Sequence, residues 1–116
     1  MRSVRERLPD ILEAIDRIQR YTVRGRAAFE QDELIQMWMV SHIQMIGEAC
    51  RALPMAVQDD HPEIPWRAII GMRNIPVHHY SEVDLDAVWL AVDRDLPRLR
   101  AVVSEMLGEF PPTGEN

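Results

Sequence analysis

The sequence predicts an all-α fold, an antiparallel helical bundle with about four main helices. Three observations carry that expectation. Apolar residues recur at steps of three and four along most of the chain, and no stretch alternates with period two long enough to form a strand. The third is composition: 116 residues with 47% hydrophobic and 28% charged side chains suit one globular domain with a real core. Residues 1–110 are therefore read as a single helical domain and residues 111–116 as a loose tail.

The first helix follows from Val4, Leu8, Ile11, Ile15, Ile18 and Thr22, which form a narrow apolar seam between arginines and acids. Gly25 is its expected stop, the stretch 26–31 a connector, and Asp32 the cap of the next helix. From Leu34 to Leu53 apolar residues cover more than one face, so this second long helix should touch neighbours on two sides, or a partner chain on one. Trp38, Met39 and Met45 are the residues expected to exceed what one seam can bury. Pro54 closes that helix, and a short polar segment runs to Glu63. Pro65 is placed at a first helical position, with Trp66, Ile69, Ile70 and Met72 continuing at helical spacing. Pro76 must interrupt the ladder, because it has no N–H and its ring meets the carbonyl of Met72. A last helix starts near Asp84 or Asp86 and runs to Gly108, with a bend expected at Pro97 because the periodicity resumes beyond it.

Charge and residue usage exclude several function classes. The formal net charge of −6 argues against nucleic-acid binding by overall basicity. The sum hides an asymmetry, since arginines outnumber acids only in residues 1–29. All thirteen cations are arginine, which excludes a Schiff-base lysine, a lysine general base and a phosphate-loop lysine. A single cysteine, Cys50, can form no internal disulfide and reads as a buried thiol. No apolar run is long enough to span a bilayer and the first residues lack a secretory signal, so the expectation is a cytoplasmic protein with no membrane contact.

Chemistry-bearing residues crowd into one short stretch: Arg73, Asn74, His78, His79 and Tyr80 around Pro76. Read structurally, Arg73 and Asn74 end a helix, the cation offsets its dipole, and the histidines are loop residues. Read functionally, the set suits phosphodiester cleavage without a metal. Histidine moves protons near neutral pH, arginine offers a planar fork to phosphate oxygens, and tyrosine can donate to phosphate or stack on a base. In an unbroken helix Arg73 and Tyr80 share a face and His78 falls about 140° away. A kink at Pro76 could bring His78 toward them. Adjacent histidines point apart and no third ligand is evident, so neither a metal site nor a cofactor is expected. His61 reads as a loop residue and His42 as a packed or interfacial one.

The string Arg73, Asn74, three residues, His78, one residue, Tyr80 resembles the RNxxxHxY motif of HEPN-domain ribonuclease toxins, specifically the HepT-like branch. The likeness extends to Ile46-Gly47-Glu48-Ala49, to Ile64-Pro65-Trp66 with Ile70-Gly71-Met72, and to Tyr80-Ser81-Glu82-Val83-Asp84 with Val88-Trp89, over roughly residues 8–100. That resemblance implies a homodimer with two motifs in a cleft between protomers, acting as a metal-independent endoribonuclease, commonly on transfer RNA. It also implies a partner, a minimal nucleotidyltransferase antitoxin able to transfer AMP to the motif tyrosine, here Tyr80. By the same carry-over Arg73 and His78 are the catalytic pair and Asn74 is supportive. Pro76 and His79 stand at variable positions, and a second imidazole leaves open which one is the acid. Glu48, in an apolar setting, needs a partner if buried, and a motif cation is the natural candidate.

The functional expectation is thus a ribonuclease toxin of a toxin–antitoxin pair. The alternative is a non-catalytic helical module that binds a nucleotide or a nucleotidyltransferase partner, which the acidic balance favours.

Overall fold

A computed structural model of the protein describes residues 3–75 and 83–109. Helix α1 (Val4–Thr22) starts at Ser3, whose hydroxyl accepts the Glu6 N–H at 3.2 Å. Its predicted seam is the buried face, with Leu8, Ile11, Ala14, Ile15 and Ile18 inside. Gly25, at φ 90°, turns the chain out of α1, a conformation that suits glycine.

The expected connector is instead a short helix, α2 (Arg26–Gln31). Six residues do not hold a helix alone, so its cause is tertiary. Phe29 is fully buried with its ring 5.4 Å from that of Trp89. The Gln36 side-chain amide donates to the carbonyls of Phe29 (2.9 Å) and Glu30 (3.2 Å), satisfying the helix end. Gln36 itself is buried, and these bonds offset its desolvation.

Asp32 caps α3 (Glu33–Arg51), accepting from the Leu34 N–H at 2.9 Å. As its composition predicts, α3 is central, packed on α1 along one side and on α5 along the other. It runs antiparallel to α1: the Trp38 indole donates to the Arg17 carbonyl at 2.9 Å, while Arg7 and Arg51 line one groove at the opposite end. Ile35, Met39, Val40, Ile43, Ile46 and Cys50 form its inner face. Met39 is therefore core and Trp38 half-buried, whereas Leu34, Met37 and Met45 are the large apolar residues that α3 leaves exposed.

Beyond Pro54 the polar segment contains a short helix, α4 (Met55–Asp59). Helix α5 (Trp66–Gly71) begins one residue later than expected, with Pro65 as its cap at ψ 68°. Trp66 and Ile69 are buried, and the Trp66 indole donates to the His61 carbonyl at 2.9 Å. Asp84 caps α6 (Leu85–Leu90), its carboxylate accepting the Ala87 N–H at 3.1 Å. A π-helical turn (Ala91–Asp95) leads directly into α7 (Leu96–Glu109), which packs on α1. A bend is expected at Pro97, and what stands before it is this wide turn: in a regular α-helix that proline would press on the carbonyl of Asp93, and the wider turn relieves the clash. No strand occurs among the described residues, and among them no helix is long and apolar enough to cross a membrane. The architecture is an all-α bundle, as the periodicity predicts. The proposed tail, 111–116, lies outside the described residues.

Candidate active site

The motif begins where α5 ends. After Gly71 the helix narrows to a 3₁₀ turn, Met72–Asn74, which carries Arg73 and Asn74. The cause is Pro76, since the residue before a proline is driven out of the helical region. Ile75 is accordingly extended, at φ −60° and ψ 125°, and its N–H donates to the Met72 carbonyl at 3.3 Å. An unbroken helix through the motif is thereby excluded. The kink region from Pro76 onward, with His78, His79 and Tyr80, lies outside the described residues.

Two successive turns of α3 receive the segment carrying Arg73 through three residues. Gly47 allows close approach: a Cβ built there would lie 3.0 Å from the Ile69 carbonyl oxygen and 3.2 Å from the Arg73 backbone nitrogen. A mid-helix glycine costs about 1 kcal/mol in helix propensity, and this contact is what it secures. Glu48, one residue on, places Oε1 3.6 Å from the Arg73 Nε. The expected partnership of Glu48 with a motif cation is thus present, but Glu48 is not buried: its side chain is 63% exposed against 26% for Arg73. At that distance the contact is an ion pair rather than a hydrogen bond, and an exposed pair contributes at most about 1 kcal/mol. Its effect is on orientation, because it engages the guanidinium by Nε. Gln44, one turn earlier, donates its amide N–H to the Ile75 carbonyl at 2.7 Å. Asn74 is exposed.

Arg73 and Glu48 are therefore brought together, and Gln44 and Gly47 join them. Sequence reasoning gave Gln44 no role, since a glutamine on a half-exposed helix face is indistinguishable from a solvated one. For Gly47 a signal existed, because glycine inside a strongly apolar helix implies close packing.

Glu48 and Gln44 also border a groove of about 770 Å³ between α1 and α3. Three arginines line it, Arg7, Arg17 and Arg51, against three acids, Asp10, Glu13 and Glu48. The groove is balanced in charge, so nothing in its sum attracts a polyanion. The remaining candidate residues are structural. His42 is buried, with Nδ1 2.7 Å from the Trp38 carbonyl and its ring 4.4 Å from the Trp38 ring. His61 is half-buried beside Glu63, at 3.5 Å. Burial pushes the Cys50 thiol up to about 12, which keeps it protonated and unreactive. Among the described residues no cluster of three or more His, Cys, Asp or Glu could hold a metal ion.

Comparison with known proteins agrees with the resemblance carried by the motif. The family model Ribonuclease HepT-like matches residues 11–106. A protein of Thermococcus cleftensis named "Probable ribonuclease HepT" is 36% identical over 102 residues, covering 85% of this chain and 91% of the relative. A second relative, from Methanocaldococcus jannaschii and named "Gamma-glutamylcyclotransferase and putative RNase MJ0434", is 31% identical over 116 residues, or 99% of this chain. The chain spans only about half of that longer relative, 52% of its length. No solved structure matches the chain. With a family model covering most of the bundle, including Arg73, His78 and Tyr80, the chain belongs to the HepT-like ribonuclease family.

Proposed function

We propose that this protein is a metal-independent endoribonuclease toxin, with RNA of the transfer-RNA class as substrate and a minimal nucleotidyltransferase as its antitoxin. The observation that carries the reading is the seat of Arg73. It stands half-buried at a helix end, engaged through Nε by Glu48, with its terminal amino groups in no ion pair to another described residue. A guanidinium so oriented offers its outer fork to a phosphate.

In the proposed reaction the ribose 2′-oxygen attacks the adjacent phosphorus and the bond to the 5′-oxygen breaks. His78 takes the proton from the 2′-hydroxyl and returns a proton to the leaving 5′-oxygen. Arg73 neutralises the charge that develops on the phosphorane, and Tyr80 positions the RNA. The products carry a 2′,3′-cyclic phosphate and a 5′-hydroxyl.

Two copies complete the site in this reading. Leu34, Met37 and Met45 are 76%, 44% and 56% exposed and lie with Glu48 within about 80° of one another around α3. A second copy seated on that stripe would adjoin Arg73, which supports a homodimer with both motifs in one cleft. AMP added to Tyr80 would bring a negative phosphate toward Arg73 and compete with RNA for it. The test is end analysis of RNA cut by the purified protein in EDTA: cyclic phosphate ends support the mechanism, and 3′-hydroxyl ends contradict it. If no RNA is cut by a folded dimer, the non-catalytic binding module, consistent with the net charge of −6, is the better reading.

A further inference from the structure

The turn that carries Arg73 is fixed to α3 at three points, and two of them act on Arg73 itself: the backbone contact at Gly47 and the ion pair with Glu48. The third acts elsewhere. Gln44 Nε2 lies 2.7 Å from the carbonyl oxygen of Ile75, the last residue before Pro76, in a half-buried bond between residues 31 positions apart. We infer that Gln44 is a positioning residue for RNA cleavage, fixing the point at which the chain leaves the Arg73 turn toward His78. This rests on the proposed ribonuclease reading.

The physical need for such a residue follows from the sequence. Proline has no N–H, so the backbone at position 76 cannot form the next ladder bond. Ile75 is extended and its own N–H is spent on the Met72 carbonyl. Without Gln44 the carbonyl of Ile75 would have no partner among the described residues, and rotation about this peptide would be opposed only by the steric restriction that Pro76 places on Ile75 and by side-chain packing. A rotation here moves everything beyond it relative to Arg73. Two groups that act on one phosphate must hold their separation to within about 1 Å, and a misplacement of that size lowers the rate by about 100-fold. The glutamine amide suits this role, because it is an uncharged donor held on a long helix whose other face is core. Gln44 also borders the α1–α3 groove, so a direct contact with RNA is the competing role.

The experiment uses the full chain and a purified transfer-RNA pool in EDTA. Gln44→Glu has the size of glutamine but presents an oxygen to the Ile75 carbonyl, and Gln44→Leu removes the donor without adding charge. Both should lower kcat by about 10- to 100-fold with KM within about twofold and thermal unfolding unchanged. Gln44→Lys, which keeps an N–H donor, should retain most of kcat. The inference is overturned if Gln44→Leu keeps wild-type kcat, if KM rises while kcat stays, or if folded Gln44→Lys loses as much as Gln44→Leu. Should Gln44→Glu fail to fold, Gln44→Leu and Gln44→Lys still decide the matter. Arg73→Ala is run alongside. If wild type cuts no RNA, the ribonuclease reading itself fails; if Arg73→Ala cleaves normally, the assignment of Arg73 to the site fails; and inactive Arg73→Ala with active Gln44→Leu refutes Gln44 alone.

Discussion

Gly47→Ala sets two effects of known sign against each other. Alanine in a helix interior is favoured over glycine by about 1 kcal/mol. Against this, the new methyl carbon would stand 3.0 Å from the Ile69 carbonyl oxygen, and 3.2 Å from both the nitrogen and the Cβ of Arg73. Two of those three atoms are backbone, one within α5 and one in the 3₁₀ turn, so no flexible side-chain end can yield. Overpacking of this kind costs about 1–3 kcal/mol, which leaves a net loss of up to about 2 kcal/mol. With a urea slope of about 1–3 kcal/mol/M, a loss of about 1 kcal/mol lowers the midpoint by roughly 0.3–1 M. Activity should fall further than stability, because two of the three crowded atoms belong to Arg73. Gly71→Ala and Gly108→Ala are the controls, both helical and both with nothing within 4 Å of the added carbon. Each should gain up to about 1 kcal/mol. A Gly47→Ala protein stabilised as much as these controls, with unchanged cleavage, would refute the idea that Gly47 exists to seat the arginine turn.

Three further outcomes follow from the same structure. The buried Cys50 thiol, raised from 9.0 to about 12, stays protonated when folded, so unfolding releases its proton above pH 9 and stability falls as pH rises from 9 to 12. From pH 8 to pH 10 the unfolding free energy from urea titration should therefore fall by about 1.4 kcal/mol more for wild type than for Cys50→Ala. Met45→Glu, on the exposed stripe of α3, should convert a dimer to monomers in sedimentation at micromolar concentration with helicity intact; an unchanged sedimentation coefficient would place the interface elsewhere. Co-expression with a cognate nucleotidyltransferase should add one or more AMP units, seen by intact mass and abolished by Tyr80→Phe; toxicity suppressed with Tyr80 unmodified would point to steric inhibition.

The seam of α1, the Asp32 cap, the two-sided packing of α3 and the perturbation near Pro97 are legible because each is a local consequence of residue spacing. What escapes the sequence is tertiary. Helix α2 forms because Phe29 finds a pocket beside Trp89 and Gln36 satisfies its carbonyls, neither of which a six-residue window contains. Along α3 most positions are apolar, so spacing alone does not say which stripe faces inward: Met39, expected in excess of the seam, is core, and Leu34 and Met37 join the expected Met45 on the exposed side. The site divides the same way. The pairing of Glu48 with a motif cation can be anticipated from the cost of an unpaired acid, even though the carboxylate is exposed. Gln44 cannot, because its meaning depends on Ile75, 31 residues later.

The central claim, that Arg73 and His78 cleave RNA without a metal, is tested most directly by one assay. Purified wild type, Arg73→Ala and His78→Ala are each incubated with a transfer-RNA pool in excess EDTA, after circular dichroism and sedimentation have shown the three to be equally folded and associated. The expected result is cleavage by wild type and, for either variant, a rate lower by at least about 100-fold, as follows when a general acid–base or a charge-stabilising group is removed. Folded variants that cut at the wild-type rate, or a wild type that cuts only when a divalent ion is restored, would contradict it.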